Sequence, residues 1–103
     1  MSQIEKMEVL SGLLEKMHAL LVGHEVNYAE VLSPILLRIK KGDIFGVDEL
    51  LQYYGGMGSL NDIWICTENE HNISKEQEQS VNKEFDSLKN SAWETAREIQ
   101  AVK

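Results

Sequence analysis

Apolar positions recur along this chain at helical spacing. Between Ile4 and about Val22, the residues Ile4, Met7, Leu10, Leu14, Met17 and Leu21 step by three or four, and Leu13 and Leu20 widen the stripe. Ser2 and Glu5 form a candidate capping box at its start, and Gly23 is the candidate left-handed residue at its end. A stripe this broad needs more than one neighbour, which points to a bundle. A second register, Tyr28, Val31, Leu32, Ile35, Leu36 and Ile39, continues through Pro34. One kinked helix is therefore expected from about Glu25 to Lys41, closed by Gly42; the alternative is a break, with Ser33 and Pro34 starting a new helix.

From Asp43 to Tyr54, the residues Ile44, Val47, Leu50, Leu51 and Tyr54 keep helical spacing. Gly46 weakens the first turn by roughly 1 kcal/mol relative to alanine, so Val47–Tyr54 is the firmer part. Gly55 and Gly56 stop this helix, and Ser59 with Asp62 reads as another capping box. Ile63, Trp64, Ile65 and Cys66 are too few for periodicity to separate strand from helical turn. With no second strand to pair, a helical turn followed by extended chain is expected, then a polar loop from Thr67 to Ile73.

The last segment is the most regular. Ser74 and Gln77 form a capping box, Glu76 and Glu78 suit the positive end of a helix, and Val81, Phe85, Leu88, Ala92, Thr95 or Ala96, Ile99 and Val102 make one stripe. A helix over Ser74–Lys103 spans on the order of 45 Å, more than a compact domain of this size needs. Its end is expected to fray or to pack on a partner chain, with a homodimer through this helix as one form. The whole reads as all-α: a single domain over residues 1–103, a bundle of about four helices with a glycine-rich corner.

Composition agrees. Apolar residues are 43% and charged residues 26% of a 103-residue chain, which is globular composition with one core's worth of material. The lone Cys66 excludes an internal disulfide and fits a reducing cytoplasm. Residues 1–22 mix Glu5, Glu8, Glu15, Lys6 and Lys16 among the apolar positions, unlike a signal peptide, and no run approaches the roughly 18 apolar residues of a membrane span. Seventeen acids against ten bases give a formal charge of −7. That balance disfavours nucleic acid and anionic lipid and favours basic surfaces. Arg38, Lys40 and Lys41 are the only cluster of bases, and they suit a helix C-terminus.

Candidate chemistry is sparse. His18, His24 and His71 lie far apart, with no metal-binding spacing, so neither metal nor cofactor is expected. Cys66 lacks an obvious base other than His71, and Ser59 is not in a nucleophile elbow. Asp62 with Asp48 or Glu49 is a conceivable acid–base pair, though close carboxylates are common in so acidic a chain. The stretch Tyr54-Gly55-Gly56-Met57-Gly58-Ser59-Leu60-Asn61-Asp62 matches neither phosphate-loop pattern and carries no lysine. It reads as a corner. Its glycines allow positive φ and close helix approach, Met57 plugs the core, and Ser59, Asn61 and Asp62 satisfy backbone groups. A small-ligand or enzymatic site at this loop is the alternative.

The same stretch resembles a family of short bacterial proteins of unknown function, marked by an aromatic residue, GGMGS, an apolar residue and ND. The resemblance covers roughly residues 4–66, including the second helix ending in Lys-Gly-Asp. Tyr54 stands where phenylalanine is commoner, and Pro34 departs from the pattern. The family implies no activity. Small acidic proteins of this style are similar to immunity proteins that neutralise bacterial toxins, which implies a cytoplasmic, non-enzymatic binder of a basic toxin domain. Its contact surface is then expected near the acidic loops, at Asp43, Asp48, Glu49, Asp62, Glu68 and Glu70, with Tyr53 and Trp64 as aromatic anchors.

Overall fold

A computed structural model of the chain describes residues 2–55 and 59–102. The helices are α1 (Gln3–Gly23), α2 (Ala29–Lys40), α3 (Phe45–Gln52) and α4 (Lys75–Ala101), with short 3-10 turns at Leu60–Asp62 and Thr67–Asn69. The fold is all-α. α1 packs against both α2 and α4, and short α3 closes the remaining side between α2 and α4. Met7, Leu10, Leu14, Met17 and Leu21 of α1 form the buried spine, met by Leu32, Ile35 and Ile39 of α2, Val47 and Leu50 of α3, and Phe85, Ala92, Ala96 and Ile99 of α4.

The caps follow local chemistry. Ser2 Oγ accepts from Glu5 N–H at 3.1 Å, and Gln77 Oε1 accepts from Ser74 N–H at 3.3 Å. α2 runs unbroken through Pro34 and ends at Gly42, whose φ of 79° is the left-handed conformation. Gly46 has a packing reason: a Cβ there would lie 3.0 Å from Arg38 Cβ and 3.1 Å from Ile39 Cγ1, so its hydrogen lets α3 close onto α2. Among the described glycines, close approach belongs to Gly46. A Cβ at Gly55 would meet nothing within 4 Å, and Gly56, Met57 and Gly58, the rest of the expected corner, lie outside the described residues.

Several expectations are corrected. Ile4 is 73% exposed, so the buried stripe of α1 begins at Met7. α1 includes Gly23, and the left-handed residue after it is Glu25 (φ 58°), which delays α2 to Ala29. On α4 the core face includes Asn82 and Lys89, both buried, while Val102 is 63% exposed. Phe85, Ala92, Ala96 and Ile99 of the α4 stripe are buried inside the bundle. The 27 residues of α4 span about 40 Å, which matches the 42 Å long axis of the molecule.

Residues 63–66 are extended chain, and the helical turn precedes them at Leu60–Asp62. Ile65 is wholly buried there, in a fold whose described residues contain no strand. Its backbone is satisfied by one side chain: Asn82 Oδ1 accepts from Ile65 N–H at 2.9 Å, and Asn82 Nδ2 donates to Ile65 C=O at 2.8 Å. The amide does what an adjacent strand would do. Asn82→Leu leaves both groups buried and unpaired, and should cost about 2–4 kcal/mol in urea unfolding, against under about 0.5 kcal/mol for the exposed Asn90→Leu.

Candidate functional site

The glycine corner is held at its two ends. Leu60 N–H donates to Tyr53 C=O at 2.7 Å, and Asn61 Nδ2 donates to Tyr54 C=O. Ser59 Oγ accepts from Asn61 N–H at 3.2 Å, and Asp62 Oδ2 accepts from Ser59 N–H at 3.3 Å. Tyr54 reaches across to α4, its hydroxyl donating to Lys89 C=O at 2.7 Å. Burial pushes the Tyr54 hydroxyl's pKa far above the ordinary tyrosine value.

Beside this corner the end of α1 meets the loop that precedes α4. His24 Nδ1–H donates to Asn72 C=O at 2.7 Å, and Asn72 N–H donates to His24 C=O at 2.8 Å. His71 Nδ1 accepts from Cys66 N–H at 3.2 Å, so this imidazole is engaged by the backbone of Cys66. These clasps bring the 25–28 turn and the 62–71 segment to either side of a groove of about 460 Å³, lined by Glu25, Asn27, Tyr28, Asp62, Trp64, Glu70 and their neighbours. Trp64 is 51% exposed. Tyr28 packs edge-on against Tyr53, ring centroids 6.4 Å apart, yet its hydroxyl oxygen is buried without a partner. Burial first, then Tyr53 and Asp62, raise the Tyr28 pKa.

No lysine or arginine lies between Met17 and Leu37, or between Gly42 and Ser74, so both stretches that form the groove are free of fixed positive charge. Two of its carboxylates sit on an unusual backbone. After α1, Val26 N–H donates to Leu21 C=O at 2.8 Å and Glu25 N–H to Val22 C=O at 3.0 Å. After the second 3-10 turn, His71 N–H donates to Cys66 C=O at 3.3 Å and Glu70 N–H to Thr67 C=O at 3.0 Å. After α2, the equivalent pair is Asp43 N–H to Arg38 C=O at 2.9 Å and Gly42 N–H to Ile39 C=O at 3.0 Å. These are three copies of one terminating motif, whose left-handed residue is normally glycine. Away from the groove it is Gly42; at the groove it is Glu25 and Glu70.

Of the residues expected to bind a partner, the structure brings Asp62, Trp64 and Glu70 together in this groove, with Tyr53 behind Tyr28. Glu68 lies on the adjoining turn, 3.7 Å from Lys75 Nζ. The others sit elsewhere: Asp43 Oδ1 accepts from Phe45 N–H at the start of α3, Glu49 pairs with Arg38 at 3.0 Å, and Asp48 Oδ1 accepts from Gln100 Nε2 on α4. Glu25, Asn27 and Tyr28 were missed because they fall where the second helix was expected to begin. The one signal that could have found them is the absence of basic residues flanking both stretches. Among the described residues no cluster of His, Cys, Asp and Glu could hold a metal, and no helix is long and apolar enough to cross a membrane.

The groove therefore lies between loops of a small all-α bundle whose chain carries a formal charge of −7. Residues 22–74, which contain every residue lining the groove, match the family described as Domain of unknown function (DUF6966), and the chain belongs to that family. No curated protein and no solved structure matches the chain.

Because the folded chain holds the Tyr54 and Tyr28 protons more tightly than the unfolded chain does, this contribution to stability is intact below about pH 10 and is lost as pH rises above it. Urea midpoints measured from about pH 8 to about pH 11 should fall at the alkaline end. Tyr54→Phe should start about 1 kcal/mol less stable at neutral pH, through the lost bond to Lys89 C=O, and decline less steeply.

Proposed function

We propose that this chain is a protein-binding module of the immunity type, acting in the cytoplasm, which docks a basic segment of a toxin domain at the groove and thereby neutralises it. One observation carries the reading: two glutamates occupy left-handed positions that glycine fills without strain, and both line the same groove. Local stability alone would favour glycine there, as at Gly42. Two carboxylates at such positions beside one groove support a role outside the fold. Within residues 22–74 there are eight acids and only three bases, so the family segment carries most of the negative charge. Such a field speeds encounter with a basic partner and discriminates against acidic ones. The half-exposed Trp64 supplies the apolar anchor that long-lived binding needs.

Glu25→Gly and Glu70→Gly should each raise stability by about 1 kcal/mol while weakening partner binding. A binding site and a merely tolerated strain part company here, since the latter predicts the gain in stability without the loss of binding. The biological test is growth rescue. The product of the adjacent reading frame is expressed in a susceptible host with and without this chain. Rescue by the wild type, lost in a folded variant carrying Glu25→Lys and Glu70→Lys, is the expected result. A neighbouring product that is harmless alone, or rescue that survives the charge reversal, defeats the proposal.

A further inference from the structure

The lining of the groove narrows which basic side chain it suits. Three carboxylates, Glu25, Asp62 and Glu70, are carried on three separate turns, and no lysine or arginine lines the groove with them. Trp64 shares that lining with half its surface exposed. An indole face is the strongest aromatic partner for a cation.

A lysine ammonium is compact and strongly hydrated, and uses an aromatic face poorly. A guanidinium is planar, weakly hydrated and always charged; it stacks on aromatic rings while its five N–H donors spread to several acceptors. Carboxylates on separate turns beside an exposed indole are the set such a group fills. The chain makes one such stack within itself, where the Arg97 guanidinium lies 5.6 Å from the Trp93 ring centroid on α4. We infer that the groove receives an arginine side chain of the partner protein, its guanidinium stacked on Trp64 and hydrogen-bonded among Glu25, Asp62 and Glu70. This rests on the protein-binding reading and adds the identity of the anchoring side chain.

The test uses the full chain with Trp93→Phe, which leaves Trp64 as its only tryptophan. At low salt it is titrated with a capped arginine–glycine peptide and with the lysine–glycine peptide of equal charge, following Trp64 emission. The arginine peptide should shift that emission and bind on the order of tenfold more tightly than the lysine peptide. Trp64→Leu should erase the advantage, read by calorimetry. Glu25→Gln with Glu70→Gln should weaken both. Equal affinity for the two peptides, unchanged by Trp64→Leu, overturns the arginine assignment while leaving an acidic docking surface in place. If neither peptide binds at millimolar concentration, both the assignment and the docking reading at this groove fall.

Discussion

An extended segment inside a helical protein has nowhere to send its backbone hydrogen bonds. Here the whole loop end depends on how that problem is met. Ile65 is buried, and the amide of Asn82 takes both its N–H and its C=O. The same Asn82 Nδ2 also donates to Glu78 C=O at 2.7 Å, which fixes its orientation along α4. With Ile65 held, the 3-10 turns on either side of it are positioned, and with them Asp62, Trp64 and Glu70. Glu78 Oε2 accepts from Thr67 at the second turn, and Asn69 Nδ2 donates to Trp64 C=O at 3.0 Å. Polar contacts from α4 thus hold one wall of the groove, and the apolar core places α4 where it can make them.

Comparing the three left-handed terminators separates backbone demand from side-chain identity within one molecule. All three close a helical turn with the same pair of backbone bonds, so the backbone demand is the same at each. Gly42 meets it without strain, at a corner where α2 passes to α3. Glu25 and Glu70 meet it at a cost, and the two stretches of chain carrying them face each other across the groove. A difference between equivalent positions is more informative than a charge count, because the count alone is explained by solubility.

The helices were legible because their signal is periodic and local. The stripe of α1 from Met7 onward, the register of α2 through Pro34, and the capping residues Ser2, Ser59 and Ser74 follow from side-chain spacing and backbone donors that a linear sequence displays. Asn82 and Lys89 were not legible as core-facing, because hydropathy assigns amides and amines to solvent; only the extended chain at Ile65 gives Asn82 its reason to be inside. The groove was half legible. Acidic loops and Trp64 could be named, but Glu25 fell in an expected helix, and the terminating motif after α1 depends on Val26 packing near Leu21, a contact that spacing does not announce.

The bond from Tyr54 to α4 ends on a main-chain carbonyl, that of Lys89. Any residue at that position offers the same oxygen, so this tether is indifferent to side-chain identity there. Asn82 is the opposite kind of attachment, since no other side chain presents a donor and an acceptor in that geometry without a change of size or charge. The matched family segment stops at residue 74, short of α4. A change of side chain at residue 89 therefore leaves the Tyr54 tether its acceptor, whereas the attachment at residue 82 rests on one amide standing in for a missing strand.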